Sequence, residues 1–356
     1  MKKNIIADKF LFDKSLFLQE LKQQDQPLKI FKKTLKDGYE YLAEQFNSGE
    51  NIELIIKRQS WFIDQLLIIA WQQFVDSEDY CLVAVGGYGR SELLLASDID
   101  LMILEKRWAN KNNKQQVSSF LTFLWDFGLE VGHSVRTVKE CQYEAKNDIT
   151  VMTNIMESRL LFGNEKLYEK MRHATSPKKI WPTRKYFESK LVEQKMRHEK
   201  YNDSSSKLEP NVKESPGGLR DTQMISWVAK RHFDNIDLSS LVKHKFLTSD
   251  EYKLLEAGRN LLWRVRFALH MSTGRREDRL LFEFQRPVAE LMGFSSKDNK
   301  GIEEFMKMYF KAIREIIRLN EMLLQHFQEE IIYKKRKEKI VPINVRFQKR
   351  NDYIEV

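Results

Sequence analysis

The sequence predicts an α+β protein: a small mixed sheet preceded by N-terminal helices and followed by a mostly helical C-terminal domain. Three observations predict it. Apolar residues from Ile52 to Phe74 recur at spacings of three and four. Short runs bounded by glycines or turn residues follow between 80 and 137. From about residue 138 the helical period returns and holds almost throughout.

The stripe Ile52, Ile55, Ile56, Phe62, Ile63, Leu66, Leu67, Ala70, Trp71 and Phe74 makes 52–74 the clearest helix of a helical region over 1–75. "YCLVAV" (80–85) stops at Gly86-Gly87 and reads as a buried strand. "DIDLMIL" (98–104) is a second strand and "LEVGHSVRT" (129–137) a third, with a helical pattern around Phe120, Leu121, Leu124 and Trp125 between them, so the α/β core spans 76–140. Helices are expected at 149–161, 183–202, 218–233, 250–272 and 302–330 within a helical domain over 141–332. In "NDSSSKLEPNVKESPGGLRD" (202–221) Ser, Pro and Gly accumulate and no apolar period survives, so it is loop, and a long loop inside a compact domain is more often functional than idle. The basic run "YKKRKEK" (333–339) opens a solvated linker over 333–356.

With 42% hydrophobic residues among 356, the chain can bury a sizeable core, and at about 150 residues per domain it holds about two domains. Cys81 and Cys141 are too few for a disulfide framework, which fits reduced thiols in a cytoplasmic setting. The first residues lack the apolar run of a secretory signal, and the greasiest stretches, such as "LLIIAW" (66–71), stop far short of the ~20 residues a membrane span needs. No membrane partner is expected. A net charge of +9 favours a polyanionic partner, either nucleoside triphosphate, nucleic acid or an acidic protein.

The chemistry is in "GGYGRSELLLASDID" (86–100). Alternate side chains of a strand share a face, so Asp98 and Asp100 project together with Met102 and Leu104, while Ile99, Leu101 and Ile103 point the other way. Like charges held side by side raise each other's pKa and call for a cation. Magnesium takes hard oxygen ligands from one or two carboxylates and completes its shell with water and phosphate. Two such ions about 4 Å apart clamp an in-line displacement at phosphorus. Gly86 and Gly87 let backbone N–H groups approach a triphosphate, Arg90 offers a planar fork to phosphate, and Ser97 adds a hydroxyl. In the loop, Lys213 and Arg220 bring positive charge, and Gly217-Gly218 open a helix whose N-terminus favours an anion. Asp221 either caps that helix or completes the metal site.

This order of parts resembles the nucleotidyltransferase superfamily that includes DNA polymerase β, whose signature is a Gly-Gly or Gly-Ser turn followed at a short interval by Asp-x-Asp or Asp-x-Glu. Together with "LEPNVKESPGGLRDTQMISWVAKRHF" (208–233) and "GRREDRLLFEFQRPVAELMGF" (274–294), the stretch "VAVGGYGRSELLLASDIDLMIL" looks like the bacterial bifunctional uridylyltransferase and uridylyl-removing family. The resemblance implies a DNA polymerase β-like core, Asp98 and Asp100 as catalytic metal ligands, and Gly86 and Gly87 as the triphosphate turn. It implies magnesium, with manganese able to substitute, UTP as substrate, and transfer of UMP to a tyrosine of the PII nitrogen-regulatory protein. The superfamily draws a third carboxylate from a neighbouring strand; here Glu130 is the candidate, with His133 and Arg136 on the same strand. In that family a hydrolase domain marked by a His-Asp pair and glutamine-sensing domains follow. This chain has no His-Asp dipeptide and stops soon after its basic run, so transfer without uridylyl removal or a glutamine response is expected. Adenylyl transfer to glutamine synthetase, a non-catalytic nucleotide-binding regulator, and an RNA-end nucleotidyltransferase are the alternatives; nucleic acid is not the expected partner.

Overall fold

The computed structural model describes residues 6–107, 111–201, 208–234, 237–294, 298–333, 340–344, 346–350 and 353–355. Helices α1 (Lys14–Gln23), α2 (Pro27–Asn47) and α3 (Ile52–Phe74) come first. The Asp13 carboxylate accepts the first free N–H groups of α1 and the Asn51 amide oxygen those of α3, while Pro27 starts α2, where its missing N–H costs nothing. The apolar stripe of α3 is buried as its spacing requires. Phe62 and Trp71 are inside, where truncation of either costs about 3–5 kcal/mol.

The sheet follows. Strand β1 (Tyr80–Ala84) leads through a single helical turn, α4 (Gly86–Gly89), to β2 (Ile99–Glu105); then come α5 (Lys111–Asp126), β3 (Val131–Thr137), α6 (Val138–Asn147), α7 (Ile149–Met156) and β4 (Arg159–Gly163). The spatial order is β3-β2-β1-β4, with β1 antiparallel to both neighbours and β2 parallel to β3. Ile99, Leu101 and Ile103 enter one core with α3 and α5, whereas Met102 and Leu104 enter a second core with Cys81, Val83 and the helices that follow. The sheet is therefore a middle layer, and its strand parity sends Asp98 and Asp100 toward the second core. Both cysteines are free and buried.

Two elements differ from expectation. Residues 149–161, read as one helix, break at Glu157 into α7 and β4, and β4 completes the sheet beyond the boundary drawn at 140. The run's apolar spacing fits a helix, but Arg159–Gly163 is a partly exposed edge strand whose pairing with β1 is a long-range fact. Residues 340–355, expected as linker, hold three short antiparallel strands, β5 (Ile340–Pro342), β6 (Gln348–Arg350) and β7 (Tyr353–Glu355); most of the basic run itself lies outside the described residues.

The helical half comprises α8 (Glu165–Ala174), α9 (Thr183–Tyr201), α10 (Leu219–Phe233), α11 (Ser240–Lys243), α12 (Ser249–Thr273), α13 (Phe282–Leu291) and α14 (Lys300–Gln328), the last running into a π-helical turn at Glu329–Tyr333. Phe305, Tyr309, Ile316, Leu319, Leu323 and Phe327 form the buried stripe of α14. Among the described residues, no helix is long and apolar enough to cross a membrane.

Candidate active site

Strand β1 is wholly buried and delivers the chain to Gly86, whose φ of +58° is a left-handed conformation that glycine adopts without strain. The Val85 N–H donates to the Asp100 carbonyl at 3.0 Å, fixing the turn against β2. The turn is also tied outward: the Tyr88 hydroxyl donates to Asp64 at 2.6 Å, and Arg159 donates to the same carboxylate. A Cβ at Gly86 would stand 3.1 Å from Asp100 Oδ2, and one at Gly132 on β3 would stand 2.8 Å from Oδ1. Two glycines thus keep side chains away from both oxygens of one carboxylate.

Burial and the neighbouring Asp98 push the Asp100 carboxyl up to about 6. Burial also acts on Asp98, but the hydrogen bond and charge of Arg276 outweigh it and hold that carboxyl below its usual value. Among the described residues, no cation or hydrogen-bond donor meets the Asp100 carboxylate. Hard paired oxygens, space around them and a carboxylate without a direct partner among the described residues fit a divalent ion, which Asp98 and Asp100 could hold.

The pair opens onto a cavity of about 380 Å³ between the sheet and the helices α7, α9, α10 and α12. Its charged lining is mostly spent internally. Arg90 donates to Glu92 and to Glu157, Lys190 to Glu193, Arg220 to Glu214, Arg197 to Asp221 and Arg266 to Asp278. The indole N–H of Trp227 takes the other Glu157 oxygen, and the Lys190 ammonium lies 4.2 Å from the Trp227 ring centroid. Lys213 is the exception: it lines the cavity with no carboxylate on its ammonium among the described residues. Burial, then the charge of Arg266, lowers its pKa. The cavity therefore presents an unpaired carboxylate and an unpaired ammonium, the complement of a metal-bound polyphosphate.

The structure brings Gly86, Gly87, Arg90, Ser97, Asp98, Asp100, Lys213 and Arg220 to this cavity. Ser97 Oγ accepts the Leu94 N–H at 3.3 Å. Arg90, expected at phosphate, instead gives its fork to Glu92 and Glu157. Gly217 and Gly218 are corrected as well. The Gly217 N–H donates to Asp221 Oδ2, and the N–H groups of Gly218, Leu219, Arg220 and Asp221 donate to protein carbonyls, so the start of α10 has no free donors for an anion. Asp221 is buried and bound by Arg197, His198, Gln194 and Gly217, a capping and clamping set, and it is absent from the described lining of the cavity. Glu130 is exposed; by register it stands beside Asp98, and its carbonyl accepts from Ile99 N–H. Among the described residues no three His, Cys, Asp or Glu side chains form a metal cluster. His133 meets Trp125 edge-on at 5.6 Å, and its position on β3 puts its side chain on the face away from Asp100.

Sequence reasoning missed Glu157, Lys190, Trp227, Arg266 and Arg276. Lys190 had a signal: it continues the buried face of Tyr186, Phe187 and Gln194 on α9, where a lysine is out of place unless it serves a pocket. Arg276 sat in a charged cluster, and nothing local ties it to Asp98.

Residues 185–324 match the family model described as GlnD PII-uridylyltransferase. That match takes in Lys190, Lys213, Trp227 and Arg276, while the carboxylate pair precedes it. Over 353 residues the chain is 46% identical to the bifunctional uridylyltransferase/uridylyl-removing enzyme of Azotobacter vinelandii, and over 352 residues it is 47% identical to that of Pseudomonas fluorescens. Each alignment covers 98% of this chain and 39% of the relative, so the chain spans about two-fifths of the length of these curated relatives.

Proposed function

We propose, from the premise that the chain belongs to the GlnD PII-uridylyltransferase family, that its cavity binds UTP and transfers UMP to a tyrosine of a PII protein, releasing pyrophosphate. The observation that carries the reading is the presence of Asp100 and Lys213 in one cavity, each without a direct ion-pair partner among the described residues.

Asp98 and Asp100 would hold magnesium or manganese, and the bound ions supply charge neutralisation at the triphosphate and at the attacking oxygen. Lys213 faces the phosphates and steadies the charge that passes to pyrophosphate. The Gly86–Gly87 turn allows close approach of the triphosphate to the sheet. A phenolic oxygen bonds to the α-phosphorus as the bond to the bridging oxygen breaks, and the phenol's proton leaves to solvent. Positioning provides most of the acceleration, because the two reactants are held on one rigid sheet. Substrate and acceptor place the reaction in the cytoplasm.

Incubation of the chain with PII and manganese and each of the four triphosphates, read by intact mass, tests this. The mass of one UMP added to PII from UTP alone is the expected result. Transfer from ATP alone, or to glutamine synthetase, moves the assignment to adenylyl transfer, and no transfer from any nucleotide refutes the reading.

A further inference from the structure

Strand β3 is the outermost strand of the four-stranded sheet, and none of the described elements pairs with its outer side. Exposed strand edges are normally blunted by charge, proline or a bulge. Here seven residues run in unbroken parallel register with β2, without proline and with Arg136 as the one charged residue. Because the Ile99 N–H donates to the Glu130 carbonyl, the alternation of a parallel ladder turns the N–H and C=O groups of Gly132, Ser134 and Arg136 toward β2. Those of Val131, His133 and Val135 then face outward.

The same strand reaches the carboxylate pair. Asp100 Oδ2 faces Gly86 and the cavity, whereas Oδ1 faces Gly132. A strand added outside β3 would lie about 4.8 Å beyond it. Over Gly132 no side chain intervenes, so a phenol on that strand is long enough to cross to Asp100 on the face that Asp98 and Asp100 share. On the opposite face, Val135 lines a shallow groove of about 380 Å³ with Val117 and Leu121 of α5. A residue three positions from the acceptor would sit opposite Val135 and point into that groove.

We propose that the outer edge of β3 docks the acceptor segment, an extended stretch of the partner protein that adds as a fifth strand. It lays its hydroxyl-bearing side chain over Gly132 and an apolar side chain three residues away beside Val135. The proposal rests on the transfer reading above and names the surface that reading needs.

Val135→Pro removes an outward N–H that β2 does not use, a substitution that edge strands accept; Val135→Ala trims the side chain and keeps that N–H. In the full chain, Val135→Pro should raise the KM for PII roughly tenfold or more, with UTP affinity unchanged, and Val135→Ala should cost no more than about threefold. An unchanged KM in a folded Val135→Pro variant with normal UTP affinity overturns the proposal. Amide exchange of the wild-type chain is a second readout that needs neither folding of the variant nor turnover. Exchange at His133 and Val135 should slow at least about tenfold when PII is added, and unchanged exchange also overturns the docking surface. Loss of transfer from every nucleotide with intact protection at these amides would instead count against the reaction.

Discussion

Asp100→Asn should make the metal-free chain more stable while abolishing transfer. The Asp100 carboxyl is raised from 3.8 to about 6, so its ionised form is disfavoured in the folded state. A gap of about two pH units at ~1.36 kcal/mol per unit sets a ceiling of about 3 kcal/mol. Asp100 is partly exposed, and solvent screening brings this to about 1–2 kcal/mol. The sign follows from proton linkage: the folded chain holds this proton more tightly than the unfolded one. The penalty is absent below about pH 4, grows as pH rises toward about 6, and is complete above that. At an unfolding entropy of ~2.1 cal/mol/K per residue, a chain of this length should gain about 2 °C in Tm at about pH 7.5 and about a third of that at about pH 4.5. Scanning calorimetry in chelator at both pH values reads the shift, and intact-mass measurement with manganese reads transfer. Added manganese should stabilise the wild-type chain and leave the variant unmoved. Equal Tm changes at both pH values, or near-normal transfer by the variant, would refute the reasoning.

Lys213→Ala should weaken triphosphate binding by roughly 10- to 100-fold with little change in Tm, because its ammonium has no protein carboxylate to lose; calorimetric titration with UTP checks it. Asp221→Asn should cost about 3–5 kcal/mol by stranding Arg197 on a buried partner, and the manganese affinity of the folded variant should stay as in the wild type. A large loss of manganese affinity there would restore Asp221 as a ligand. Arg276→Gln frees the Asp98 carboxylate, and since both members of that pair are about half exposed, manganese binding should tighten by less than about tenfold. Unchanged or weaker binding in a fluorescence or spin-label titration would show that the arginine does not compete with the metal.

The parts of this site legible in the sequence are those set by local geometry. Alternation along 98–104 placed Asp98 and Asp100 on one face, and the two cores of the fold divide along that alternation. A Gly-Gly pair after a buried strand announced a close approach, and Gly86 makes it against Asp100 itself. The rest depends on partners far apart in the chain. Arg276 meets Asp98 across 178 residues, and Trp227 meets Glu157 across 70. The start of α10 looked open to an anion because glycines precede it, yet the turn at 211–218 folds its own carbonyls onto those N–H groups. Strand β4 was hidden because a short partly exposed edge strand carries almost no period of its own.

The charge accounting of the cavity separates scaffold from chemistry. Arg90, Lys190, Arg197, Arg220 and Arg266 each meet a carboxylate, and Glu92, Glu157, Glu193, Glu214 and Asp98 each meet a cation. Removing one member of a buried pair such as Arg90–Glu157 leaves its partner uncompensated, so its first effect is on folding. Asp100 and Lys213 have no direct ion-pair partner among the described residues, so removing either strands no partner while depriving a ligand of its counter-charge. The same distinction predicts coupling. A cycle on Arg90 and Glu157 should show strong non-additivity in stability, whereas one on Asp100 and Lys213, which act on each other through space without an ion pair, should be weakly coupled in stability and strongly non-additive with triphosphate and metal bound. The charge of Lys213 already eases Asp100 across the cavity, and a bound metal–triphosphate, whose own charges lie between the two, should strengthen that link.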